Sequence, residues 1–325
     1  MSDKYQSLIE GVKTLTGDAK SLFELKSKWL TVVIIILQLF AVVWNVIKPP
    51  KEIFPNVLIL ILLFALLGLL ATQEYRYSRK AKYAEALFFI HSIVHRLRDN
   101  FHTLNKISNS SEDAESILKR KVFEEAEKVI TSFANAFNLI TGTRCRACIK
   151  LINNAEPSKK YSELSKEEKE RVLYVETWVR DIDTKLLETK EEPMHWLCGN
   201  TDFSELFSAK NPTINNSFFE NNLPKRRNYL NTSFELYTEP NGRWKLPYKS
   251  TIVWPIRKIT SDQYDREEGQ FTEKQDILGY LCIDSKARKI FNKSYDVNFG
   301  AIVADSIFIF LRRYYMVLNK KRKEN

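Results

Sequence analysis

Uncharged, mostly apolar residues fill 29–47 and again 53–72, with only Lys48-Pro49-Pro50-Lys51-Glu52 between them. Each run is close to the ~20 residues that an α-helix needs to cross a bilayer, and neither holds Asp, Glu, Lys, Arg or His. Two prolines in the break stop the first helix, because proline fixes φ and disfavours the helical conformation before it. Pro55 then falls in the first turn of the second run, where a missing N–H costs no hydrogen bond. The pattern predicts a membrane hairpin. Trp29, Trp44, Phe54 and Tyr75 bracket it, as amphipathic rings do at headgroup depth. Lys13, Lys20, Lys26 and Lys28 precede the hairpin, Arg76, Arg79, Lys80 and Lys82 follow it, and the break carries only Lys48 and Lys51. The positive-inside bias then puts both termini in the cytoplasm and the chain in the inner membrane.

Beyond the hairpin, Tyr83, Leu87, Ile90, Val94, Leu97, Phe101 and Leu104 alternate spacings of four and three. This is a heptad seam about three repeats long, which predicts a helical stalk over 73–108. The seam either meets its copy in a second subunit or packs within its own chain. Ser110, Ser111 and Asp113 supply capping side chains, and a second amphipathic helix buries Leu118, Phe123, Val129, Phe133 and Phe137 before Gly142 stops it. Strand patterns follow over 143–152, 172–182, 248–258 and 277–284, a short helix opens at Asn200-Thr201-Asp202, and a long helix closes the chain over 295–318. The order is an α+β layer, one antiparallel sheet with helices packed on it.

Composition fits a membrane segment joined to a polar domain. The 325 residues have a mean hydropathy of −0.32 despite the hairpin, a net charge of +10 and a pI near 9.2. For a domain lying at a cytoplasmic leaflet, anionic headgroups account for that charge. Nucleic acid is the other partner for the clusters Lys225-Arg226-Arg227 and Lys320-Lys321-Arg322-Lys323, which also read as solvated loop and tail. Cys145 and Cys148 form a C-x-x-C on a strand, where positions three apart point to opposite faces, so the thiols diverge and no metal site is expected. His91, His95 and His102 lie on the stalk, and no Gly-rich nucleotide-binding segment follows in a chain with 9 Gly to make a phosphoacceptor of any of them. His195 reads as a loop histidine.

Three segments, in order, resemble a GAF domain: Phe218-Phe219-Glu220-Asn221-Asn222-Leu223-Pro224, then YKSTIVWPIR at 248–257, then LGYLCIDS at 278–285, followed by the helix YDVNFGAIVADSIFIFL at 295–311. The resemblance implies a sensing module with a pocket between the sheet and the middle helices and loops. Trp178, Phe203, Phe219, Trp254 and Tyr280 are then the pocket candidates, with Arg257 as an anion partner; all of them also read as sheet and helix core. Asn292, Lys293, Phe299 and Asp305 match the cyclic-nucleotide signature of some members in type but not in spacing. No bilin attachment pair is present, because Cys198 has no adjacent His. No cofactor is implied.

No P-loop, G-x-G-x-x-G, H-E-x-x-H or G-x-S-x-G occurs, so the sequence reads as a non-enzymatic sensor. Its segments are an N-terminal stretch 1–28, membrane helices 29–47 and 53–72, the stalk 73–108, a GAF-like domain 109–318 and a basic tail 319–325. With no output enzyme in the pattern, the hairpin itself is the expected output. Gln38 lies at mid-membrane and Asn45 nearer the end, placed to bond across a helix interface or line a hydrated path. By layout the chain resembles two-helix membrane effectors of bacterial anti-phage systems, retron-linked or cyclic-oligonucleotide-linked. That likeness implies a homo-oligomer through stalk and hairpin, a cytosolic protein, nucleic-acid or small-molecule cue, and membrane permeabilisation as antiviral defence. The alternative is a membrane-anchored regulator that passes its signal to a separate kinase, polymerase or nucleic-acid complex.

Overall fold

The computed structural model describes residues 54–108, 114–155, 165, 168, 172–185, 195–208, 217–232, 244, 246–258 and 276–324. The first expected membrane run, with Gln38 and Asn45, lies outside the described residues. The chain divides into two units, 1–84 and 85–325.

In the first unit the described residues begin helix α1, Phe54–Ser108. The second apolar run and the expected stalk are therefore one uninterrupted helix. Ile61, Phe64, Leu66, Leu67 and Leu69 are exposed on it. Among the described residues, no helix is long and apolar enough to cross a membrane. Thr72 donates its hydroxyl to the carbonyls of Gly68 and Leu69 one turn back.

The second unit holds the remainder of α1, then α2 (Ala114–Thr141), β1 (Cys145–Asn154), β2 (Leu173–Arg180), α3 (Ile182–Lys185), β3 (His195–Trp196), α4 (Thr201–Phe207), β4 (Phe218–Glu220), β5 (Ser250–Lys258), β6 (Asp276–Ser285) and α5 (Lys293–Glu324). The strands form one antiparallel sheet in the order β3-β2-β1-β6-β5-β4. The expected α+β layer is present. The alternating seam on α1 is used within the chain: Ile90, Leu97 and Leu104 are buried with Ala86 and Ile93, whereas Leu87 and Val94 are exposed. Polar contacts fix this packing, because Glu125 of α2 accepts from Arg96 and Asn100, and Arg313 of α5 donates to Asn105 and lies over the Phe101 ring. The His91 and His95 rings meet edge-on at 4.1 Å, and partial burial with the neighbouring His91 holds the His95 imidazole below its usual value.

Helices α2 and α5 cover one face of the sheet. Trp254 of β5 is its centre, flanked by Phe133 and Phe137 at 5.8 and 6.2 Å, with its indole N–H donated to the Val297 carbonyl at 2.8 Å. Only glycine fits beside it: a Cβ on Gly300 would lie 2.1 Å from the Trp254 ring. Gly142, at φ 67°, closes α2 by donating its N–H to Asn138, as the sequence predicts. Asn292 caps α5, accepting from the Ser294 N–H while Asp296 accepts from its own, so this asparagine serves the helix start.

Candidate functional site

The other sheet face lies under a cover built from α4 and the segments 221–232, 244 and 246–249, between the edge strands β3 and β4. The buried cluster there contains Cys148, Leu173, Val175, Phe203, Leu206, Phe218, Leu223, Tyr229, Leu246, Val253, Tyr280 and Cys282. Strand alternation also sends Arg146 and Lys150 of β1 to this face, beside Asp284 and Tyr280, their register partners on β6. A covered sheet face carrying charge must pair it, since an uncompensated buried charge costs several kcal/mol. Arg146 meets Asp284 at 2.7 Å and lies 5.9 Å from the centre of the Tyr248 ring.

Asp202 is the most unusual member. It stands in the first turn of α4 at 4% exposure, with Oδ1 accepting from the Phe203 N–H at 3.0 Å and Oδ2 accepting from the Tyr229 hydroxyl at 3.2 Å. Tyr229 and Tyr248 hydroxyls lie 3.4 Å apart, and the Asn231 amide donates to Tyr248 at 3.0 Å. Burial pushes the Asp202 carboxyl up to about 6, opposed by the Phe203 N–H, the Lys150 ammonium and the Tyr229 hydrogen bond. Burial also drives both phenols well above their usual range, with Asp202 adding to the effect. Around pH 6, then, this carboxylate changes charge inside a buried polar chain. Protonated, it donates toward Tyr229; ionised, it can only accept.

A second set of bonds stitches the same loop to β3 and α4. The Thr232 hydroxyl lies 3.1 Å from His195 Nδ1 and accepts from Asn200 Nδ2 at 3.2 Å, while the Thr232 N–H donates to Asn200 Oδ1 at 3.1 Å. Thr201 and Leu230 exchange backbone and side-chain bonds beside them. His195 is thus a buried strand residue, where the sequence reads a loop histidine. Tyr280 anchors the cover to the sheet by donating to the Phe203 carbonyl at 3.1 Å.

No family model matches the chain, and no curated relative does. Among solved structures, it is similar to the phycoerythrobilin-bound GAF domain from a cyanobacterial phytochrome, at 9% identity over 70% of this chain and 95% of that one, with a TM-score of 0.35. It is similar to the GAF domain from an Acinetobacter phosphoenolpyruvate-protein phosphotransferase, at 9% over 63% and 96%, TM-score 0.33. It is also similar to the type II free methionine-R-sulfoxide reductase from Thermoplasma acidophilum, at 12% over 61% and 96%, TM-score 0.35.

The six pocket candidates from the sequence divide between the two faces. Phe203 and Tyr280 stack under the cover with ring centroids 4.8 Å apart. Trp254 and Trp178 belong to the helix face, the latter edge-on to Phe123 of α2 at 6.4 Å. Phe219 pairs with Ile252, next to the pair that Phe218 and Val253 make under the cover, and therefore points away from it. Arg257 is buried just past a bulge in β5; burial lowers it to about 10 against the pull of Tyr280 and Asp305. The six therefore do not line one cavity. Cys145 and Cys148 diverge as expected: Cys145 packs by Thr141 toward α2, and Cys148 sits under the cover opposite Cys282. Burial and the adjacent Cys148 thiol push Cys282 far up, which keeps it protonated and a poor nucleophile. Sequence reading missed Asp202, Tyr229, Tyr248 and the Arg146–Asp284 pair. The one available signal was Arg146, Cys148 and Lys150 on one strand face, a mixed pattern unlike a solvent face.

Proposed function

We propose that the chain is a non-enzymatic, GAF-like sensory regulator whose cover over the sheet is the moving part and whose apolar N-terminal segment is the output. The observation that carries this reading is Asp202. A buried carboxylate whose value is pushed up to about 6 clamps α4 to Tyr229 and, through it, to Tyr248, so the closed state is held by a bond set whose strength varies with charge. A cue that binds the open state better shifts the population by its differential affinity and by nothing else. The cue is a small molecule or a protein segment that replaces the phenol and amide partners of Asp202.

The exposed apolar side chains at Ile61, Phe64, Leu66, Leu67 and Leu69 support attachment to a lipid bilayer, since contiguous apolar surface of this kind marks a membrane or protein contact. In the two-helix reading the cue lets hairpins assemble and permeabilise the inner membrane, with Gln38 at the helix interface, as in the anti-phage effectors that the layout resembles. The test is membrane potential in cells expressing the full chain. Tyr248→Ala, which loosens the cover, is expected to depolarise cells, and adding Gln38→Leu to reverse this. Unchanged potential with Tyr248→Ala, together with a stable co-purifying protein or nucleic acid, overturns the effector reading in favour of a membrane-anchored regulator.

A further inference from the structure

At one end of the sheet, backbone bonds fasten three segments together. The Leu223 N–H donates to the Lys249 carbonyl at 2.9 Å, the Lys249 N–H to the Ser285 carbonyl at 2.7 Å, and the Lys289 N–H to the Asn221 carbonyl at 2.8 Å. Each segment brings cations. Lys225 ends the 3₁₀ turn Leu223–Lys225, Lys249 precedes β5, and Lys286, Arg288, Lys289 and Lys293 lie between the end of β6 and the start of α5. Lys249 is half-buried and the others are exposed. The acids around them are already engaged: Asp284 pairs with Arg146, Glu220 with Arg226, and Asp296 accepts from the Asn292 N–H. Among the described residues, none of the six cations makes an ion pair.

Two features set this patch apart from an ordinary solvated surface. Lys289 has φ 58°, in the left-handed region that favours glycine, so a charged side chain stands where the backbone alone is better served by none. The patch is also divided between cover and body. Lys225 and Lys249 belong to the cover, whereas Lys286, Arg288, Lys289 and Lys293 follow the sheet. Closing the cover gathers like charges, which repel within a Debye length of about 8–10 Å, and an anion between them turns that repulsion into attraction. We propose that the patch binds the phosphodiester backbone of a single-stranded nucleic acid, which bridges cover and body and holds the cover closed. Six cations on three segments suit a chain of phosphates, and a flexible strand can follow them from one segment to the next. A bilayer is the competing anionic surface. Large exposed apolar side chains, which would insert between headgroups, are absent from 221–227, 246–249 and 285–293. The bridge rests on the cover being the moving part, and it opposes the cue proposed above: the cue favours the open state and the strand the closed one.

Fluorescence anisotropy of a labelled oligouridylate, titrated with the full chain in a non-ionic detergent at several salt concentrations, reads the contacts. The logarithm of the affinity should fall linearly with that of the salt concentration. Lys225→Ala on the cover and Lys289→Gly on the body should each reduce the slope by about 0.7, the value of one phosphate contact on a single strand. Lys121→Ala on α2 should leave it unchanged. Lys289→Gly removes backbone strain together with the charge, so its urea midpoint should not fall, and weaker binding by this variant is not a folding defect. Amide exchange in 221–232 should slow when the oligonucleotide is added. No binding, or slopes unchanged in both variants, overturns the site. Binding to phosphatidylserine vesicles without binding to the oligonucleotide assigns the patch to lipid and overturns the nucleic-acid reading. Binding with the stated slopes but no added protection in 221–232 overturns the bridge. The binding readouts do not use Asp202, so failure of the Asp202 clamp leaves the slopes as stated.

Discussion

Replacing Asp202 with asparagine removes a charge from the cover and leaves its shape. The folded carboxyl titrates at about 6 against an ordinary 3.8, a displacement worth about 3 kcal/mol. Because the folded state holds the proton more tightly than the unfolded one, the stabilisation is complete below about pH 4 and is lost as pH rises to about 6. Above that, the native protein carries the full cost of an ionised, buried carboxylate. Asparagine is neutral throughout. It keeps one acceptor for the Phe203 N–H but turns an amide N–H toward Tyr229, so the phenol must accept instead of donate, at about 1 kcal/mol. The net expectation is a variant slightly less stable than the native chain near pH 4, and more stable by about 2 kcal/mol near pH 8. Urea unfolding of the full chain in a mild detergent, followed by tryptophan fluorescence, measures both ends. A difference between the two proteins that stays constant with pH, or that moves in the opposite direction, refutes the argument.

The remaining predictions concern packing and thiols. Gly300→Ala drives a methyl into the Trp254 ring, which is pinned by Phe133, Phe137 and the Val297 carbonyl, and should cost about 1–3 kcal/mol with altered near-ultraviolet dichroism. Among the four cysteines, only Cys198 is exposed, so a thiol reagent should titrate one group quickly in the native protein and four in denaturant.

Much of the fold was legible because its signals are local. The strand at 143–152 appears as Cys145–Asn154, Gly142 stops α2 at the expected place, and the closing helix extends a little at both ends. The site was less legible because it depends on which face each residue takes. Both sheet faces are covered, so alternation along a strand no longer separates core from solvent. Arg146 and Lys150 read as outward residues until register sets them beside Asp284 and Tyr280 under the cover. Bulges complicate the parity further: Trp178 is the extra residue of β2 where its pairing with β1 slips between Ile149 and Lys150, which lets it reach Phe123 on α2. Asp202 looked like an ordinary first-turn acid. Its role arises from Tyr229 and Tyr248, 27 and 46 positions along the chain, and no local pattern brings them together. The seam on α1 was correct in period, and its members Ile90, Leu97 and Leu104 are buried within their own chain.

The central claim, a cover that opens under the control of Asp202, is tested most directly by amide hydrogen exchange on the full chain at two pH values either side of the Asp202 titration. Protection in α4 and residues 221–232 should fall as Asp202 ionises, while α2 and α5 remain unchanged, and Asp202→Asn should abolish the difference. Equal loss of protection across cover and helices, or a pH response that persists in the variant, contradicts it.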